Sequence, residues 1–310
     1  MLCSTHCATA LPSDSPNSPT QSGLARALGV QSQPLLDAIK APVQGSESLA
    51  LLVLHTLCDL SDAVPTALLD AAQAAYEYTH QDVRFLLPCL HLLPRNEIRR
   101  LLPKVLALSA EHVAAAMHRI VNGPAGPATG PMSASELLTA LHALDPAKDG
   151  VPLKRIVEAV SQCFSPDQHD VFTSDAIAVA LQQMAEQVPV PLLLMRSVIQ
   201  TANMAPQLHG FIVDLLSKMV LKQIWKTDAR LWEGVLRCAK QLAPRSFVVY
   251  LQLPAAQLKE ALAQSPDLVA PLSAYASTPA VRASVPGTVL SALTEASAAA
   301  AEMREAVAAA

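Results

Sequence analysis

From Leu49 onward, apolar residues return every three or four positions with polar residues between them, the spacing of one face of an α-helix. The segments ESLALLVLHTLCDL, PTALLDAAQAAYEYTH, PRNEIRRLLPKVLAL and SAEHVAAAMHRIV all carry this pattern, and proline punctuates them. Proline is tolerated in the first turn of a helix because the amide it replaces has no intrahelical partner there. Beyond the Gly/Pro stretch NGPAGPATGP (122–131), Ser133 and Glu136 have capping-box spacing ahead of LLTALHAL. Thr173 is placed to cap SDAIAVALQQMAEQ, with Asp175 in its first turn. PLLLMRSVIQTAN, QLHGFIVDLLSKMVLKQIW, ARLWEGVLRCAKQL and PAAQLKEALAQ continue the series. FVVYLQL is rich in strand formers, but its helical neighbours predict a short buried helix.

Successive short helices with short connections pair antiparallel and stack. The predicted fold is therefore all-α, an α-solenoid of HEAT or armadillo type. No clean repeat motif is visible, so the periodicity rests on helix number and spacing. Composition agrees: 51% of residues are apolar, only 4% are aromatic, and ten glycines are too few for many hairpins. The 310 residues exceed the needs of one compact core. The expected organisation is a disordered Ser/Thr/Pro-rich leader over 1–22, a helical part over 23–121, a linker over 122–133, a second helical part over 134–294, and an alanine-rich tail over 295–310.

Several function classes fall away. The cysteines at 3, 7, 58, 89, 163 and 238 form no disulfide or zinc framework, which suits a reducing compartment. CSTHC (Cys3, His6, Cys7) lacks a second ligand pair. The longest apolar run, LALLVLHTLCDL, is too short for a membrane span. The first 25 residues hold no Lys or Arg, unlike a signal or transit peptide. G-x-S-x-G, a Gly-rich phosphate loop and H-E-x-x-H are all missing. His112 and His118 are six apart and face different sides of a helix. DPAKDG (145–150) has Asp145, Asp149 and Gly150 in calcium-loop spacing, but Ala147 and Ile156 stand where oxygen ligands are needed, so it reads as a capped turn. No catalytic residue, cofactor or metal is expected.

Charge changes the picture in one place. Leu216–Arg245 holds both tryptophans and seven of the 22 Lys and Arg residues of a chain with net charge −4. On a helical wheel, Phe211, Ile212, Leu215, Leu216 and Met219 share one side, extended by Val220 and Ile224. Asp214, Lys218 and Lys222 remain as a narrow polar strip, toward which Leu221 and Trp225 also point. Lys226 is expected to cover the helix's terminal carbonyls, and Asp228 to cap a following helix carrying Arg230, Trp232, Arg237 and Lys240. Two readings stay open. The stretch is a solvated basic rim with indoles tucked into helix junctions, or it is a docking surface in which an indole anchors and lysines steer an acidic partner. The candidate partner-binding residues are Lys218, Lys222, Trp225, Arg230 and Arg237. A basic RNA-binding surface over 211–245 is a third possibility, although an aromatic stacking series is missing.

With these residues assembled, the chain resembles the C-terminal domain of the symplekin family over 49–294. The blocks that carry the resemblance include DVRFLLPCLHLLP (82–94), QQMAEQVPVPLLLMR (182–196), KQIWK (222–226) and LWEG (231–234). The resemblance implies a non-catalytic nuclear scaffold of pre-mRNA 3′-end cleavage and polyadenylation. It also implies two partners, the metallo-β-lactamase-fold nuclease subunit and its inactive homologue, with RNA contacted weakly or indirectly and no membrane. The family's larger N-terminal HEAT domain, which engages a phosphatase, has no matching residues here, so that activity is not transferred. A generic helical-repeat adaptor is the alternative if the blocks are coincidental.

Overall fold

A computed structural model describes residues 29, 31–59, 64–123 and 126–308. The expected leader, with Cys3, His6 and Cys7, lies outside them. Among the described residues all regular elements are helical, and the one bridge, Gly123 to Gly126, belongs to no strand. The chain divides into two compact units, Met1–Met132 and Ser133–Ala310.

The first unit contains α1 (Gln33–Lys40), α2 (Glu47–Asp59), α3 (Thr66–Tyr78), α4 (Arg95–Leu106) and α5 (Ala110–Val121). Between α3 and α4 the chain forms two 3-10 turns, Val83–Phe85 and Leu87–Leu92. DVRFLLPCLHLLP is apolar almost all round, so it cannot lie on a surface as an amphipathic helix does. It becomes a plug, with Phe85, Leu86, Leu87, Cys89 and Leu90 buried, packed against α2, α3 and α5. Arg119 of α5 locks it. Its guanidinium donates to the carbonyl oxygen of Pro88 at 3.3 Å and to Asp59 Oδ1 at 2.8 Å. The Cys58 and Cys89 thiols meet beneath it at 3.6 Å, both free.

The Gly/Pro stretch after α5 folds back on that helix. Gly130 N–H donates to the Val121 carbonyl at 2.9 Å, and a Cβ at Gly130 would stand 2.2 Å from the Ile120 carbonyl oxygen. Only glycine permits that approach.

The second unit runs α6 (Ala134–His142), α7 (Pro146–Asp149), α8 (Leu153–Gln162), α9 (Ser174–Glu186), α10 (Leu194–Met204), α11 (His209–Leu221), α12 (Ala229–Gln241), α13 (Phe247–Leu251), α14 (Ala255–Gln264), α15 (Val269–Ala276), α16 (Pro279–Arg282) and α17 (Gly287–Ala308). Its starts are chemically marked as expected. Ser133 and Glu136 form the capping box of α6, Thr173 accepts from Ala176 N–H, and Asp145 caps a turn closed by Gly150 at φ 67°. FVVYLQL is a short helix, with Phe247, Val249, Tyr250 and Leu251 buried.

These helices stack in two layers. One runs α6, α9, α11, α13, α15 and α17, each packed on the next; α10 packs on α12 in the other. Among α8 to α12, four bonds that join alternate helices span a nearly constant stretch of chain. Arg196 reaches Ser161 across 35 residues, Lys218 reaches Gln182 across 36, Lys222 reaches Ala185 across 37, and Gln241 reaches Asn203 across 38. The partners advance together along both helices, so layer-mates run parallel. A spacing of this size, with two helices per step, is that of a helical solenoid repeat. Its signature is structural rather than a conserved letter pattern, which is why the sequence alone showed no motif.

Candidate docking edge

The basic stretch falls on α11, the turn after it, and α12. On α11 the wheel holds: Ile212, Val213, Leu215, Leu216, Met219 and Val220 are buried, while Asp214 and Lys218 are exposed. The helix, however, ends at Leu221 rather than continuing to Trp225. Gln223 takes a left-handed conformation (φ 54°) and a 3-10 turn, Ile224–Lys226, follows. No glycine or proline marks the break, and a non-glycine residue at positive φ is uncommon. The turn buries Ile224 and lays Trp225 edge-on against Trp232, ring centroids 5.7 Å apart at 63°. Asp228 then caps α12, accepting from Arg230 N–H at 2.8 Å and Leu231 N–H at 3.2 Å.

The five candidate residues do not form one cluster of equivalents. Lys218 and Lys222 are tied to α9: Lys218 Nζ donates to Gln182 Oε1 at 3.1 Å, and Lys222 Nζ donates to the Ala185 carbonyl at 2.7 Å. Lys222 thereby satisfies one of the last carbonyls of α9, which no intrahelical donor can reach. That task was expected of Lys226 on its own helix; Lys226 is instead exposed. Trp225 is half-buried, with Trp232 beneath it only 6% exposed. Arg230 is exposed and stands 3.9 Å from Asp228, a pairing worth little in water. Arg237 is exposed on α12.

What the charge pattern missed is apolar. Leu221 is 75% exposed, next to Lys222 and three residues from Lys218. In the loop that follows α9, Val188 is 92% and Leu192 55% exposed. Because α9 and α11 run parallel, their C-terminal ends lie at the same edge of the unit. That edge carries Val188, Leu192 and Leu221 together with Lys218, Lys222 and half-buried Trp225. The signal was present in the sequence: Val188 and Leu192 stand among Pro189 and Pro191, where a helix cannot continue to bury them.

One further contact joins two of the letter blocks. Gly234 of LWEG is pressed on Met195 of LLLMR, where an added Cβ would stand 2.6 Å from the Met195 Cβ. Nearby, His142 and Ser197 form a buried pair. Nδ1 of His142 donates to the Leu138 carbonyl at 2.8 Å, so the neutral ring accepts from the Ser197 hydroxyl through Nε2, also at 2.8 Å. Burial holds the His142 pKa down to about 4. Ser197 is 0% exposed, so this pair ties α6 to α10 and presents no nucleophile to solvent. Among the described residues, no helix is long and apolar enough to cross a membrane.

Comparison with known proteins agrees on one stretch. A family model described as "Symplekin tight junction protein C terminal" matches residues 82–265. The match begins at the plug of the first unit and takes in the whole docking edge. No solved structure matches the chain.

Proposed function

Because the chain belongs to the symplekin C-terminal family, we propose that it is a non-catalytic scaffold of nuclear pre-mRNA 3′-end cleavage and polyadenylation. In this reading it docks the metallo-β-lactamase-fold nuclease subunit and that subunit's inactive homologue. The observation that carries the reading is the family match itself, extending across the exposed edge of the second unit. A repeat array supplies such a role directly, since it presents a long surface without needing a catalytic cavity.

The edge supports docking by its composition. Three exposed aliphatic side chains and a half-buried indole offer area for desolvated anchoring, while Lys218 and Lys222 favour a partner with carboxylates. Lys222 keeps a structural bond to Ala185, so its share in steering is smaller than that of Lys218.

The test is co-purification from an extract containing both cleavage subunits. The chain recovers both, and Val188→Asp with Leu221→Asp lowers recovery at least tenfold while helix content is unchanged. Lys218→Glu with Lys222→Glu lowers it less. Recovery of neither subunit by the unaltered chain overturns the reading.

A further inference from the structure

The plug of the first unit covers a pair of thiols that docking does not use. Cys58, in the last turn of α2, and Cys89, in the second 3-10 turn, hold their sulfurs 3.6 Å apart. They stand 31 residues apart in the chain, so no local turn brings them together. Arg119 holds the two segments in register. Its guanidinium donates to Asp59 Oδ1, beside Cys58, at 2.8 Å and to the carbonyl oxygen of Pro88, beside Cys89, at 3.3 Å. The thiols are not equivalent. The bond it donates to Cys89, and then burial, raise the Cys58 pKa; the same bond, and then the Arg119 charge, lower that of Cys89. Cys89 is the readier thiolate.

From this juxtaposition we propose that Cys58 and Cys89 form a redox latch, which hydrogen peroxide closes by oxidising the pair to a disulfide that staples the plug to α2. The Cys89 sulfur attacks one peroxide oxygen, the O–O bond breaks, and a sulfenic acid and one water form. The Cys58 sulfur then attacks the sulfenic sulfur. The S–S bond forms as the S–O bond breaks, and the hydroxide leaves with the Cys58 proton as a second water. Both electrons taken up by the peroxide come from the two sulfurs, and a thiol reductant reverses the change by exchange. An S–S bond is about 2.0 Å long, so the sulfurs must close by about 1.6 Å. Cys89 is 0% and Cys58 5% exposed, so peroxide reaches them when the plug opens locally. The plug is suited to opening, because its 3-10 turns rest on short-range bonds such as Cys89 N–H to the Leu86 carbonyl at 3.0 Å.

The experiment treats the full chain with hydrogen peroxide under native conditions, blocks the remaining thiols, and maps the products by mass spectrometry without reduction. The peptides of Cys58 and Cys89 are expected joined, two hydrogens lighter than their sum, while Cys163 and Cys238, buried in the second unit, remain thiols. Calorimetry of the oxidised chain should show the first unit melting several degrees higher, because the bond closes a loop of the unfolded chain. Dithiothreitol should return both the thiols and the original melting temperature. Phe85→Ala, which loosens the plug, should speed the joining several-fold. In Cys58→Ser the sulfenic acid has no partner, and dimedone should trap it on Cys89. Cys58 and Cys89 left as thiols while Cys163 and Cys238 oxidise overturns the latch. So does joining of either residue mainly to Cys3, to Cys7 or to a second chain. A joined pair that leaves the first unit's melting temperature unchanged or lower overturns it as well.

Discussion

The two units bury apolar helices in different ways. In the second, helices stack on layer-mates, and among α8 to α12 four joining bonds each span 35 to 38 residues. In the first, one irregular plug sits among α2, α3 and α5, held by a single arginine that answers both Asp59 and the Pro88 carbonyl. A periodic array spreads its stability over many nearest-neighbour contacts. A plugged core concentrates it. The lesson is that a chain can look uniformly helical by pattern and still contain a unit that fails all at once beside one that fails step by step.

The strongest way to break this contrast is Phe85→Ala in the plug. Phe85 is fully buried, and its truncation should cost about 3–5 kcal/mol. Calorimetry should then show a separate low-temperature transition for the first unit, with the second unit's transition unmoved. A single coincident transition would erase the distinction.

Acid tests the second unit. The folded His142 has a pKa of about 4, below the ordinary value near 6.5, so the folded state binds fewer protons there than the unfolded chain. Its contribution is present above pH 6.5 and is lost as the pH falls through that window to about 4, amounting to roughly 3 kcal/mol. Burial also lowers His55 and His91 in the first unit, which adds to acid sensitivity there. His142→Gln separates the two: urea midpoints of the second unit should flatten between pH 6.5 and 4, while those of the first keep their slope.

Gly234→Ala is expected to cost about 1–3 kcal/mol, because the new methyl must displace Met195 between α10 and α12. Hydrogen exchange should report the loss in those two helices and their layer neighbours, leaving α14 and α17 protected. Smallest is Lys222→Met, which removes one donor from the end of α9 and should cost under about 1 kcal/mol in urea denaturation. A larger loss would mean that the array depends on single bonds as the plug does.

Much of the fold was legible because its signals are local. Period, proline placement and the side-chain caps at Ser133, Thr173, Asp145 and Asp228 act within a few residues, and the structure places all four caps as read. The short buried helix at Phe247–Leu251 was legible from its neighbours. What stayed hidden depends on distance in the chain. The plug has no period to read, the break at Gln223 has no glycine or proline, and the bond from Lys222 to Ala185 spans 37 residues. Of the candidate edge, the basic strip was legible from the wheel. The aliphatic half was legible only in pieces, Leu221 from the wheel and Val188 and Leu192 from the prolines beside them; that these pieces meet at one edge follows from the parallel stacking of α9 and α11.

That shared edge also bears on why the basic residues gather there at all. Parallel layer-mates align their peptide dipoles, so the negative poles of α9 and α11 emerge side by side instead of cancelling as they would in an antiparallel pair. Lys218, Lys222 and Lys226 supply the countercharge for two coincident poles. Part of the positive potential suggested by counting lysines is therefore neutralised by the backbone, and an incoming acidic group meets a weaker field than the residue tally implies.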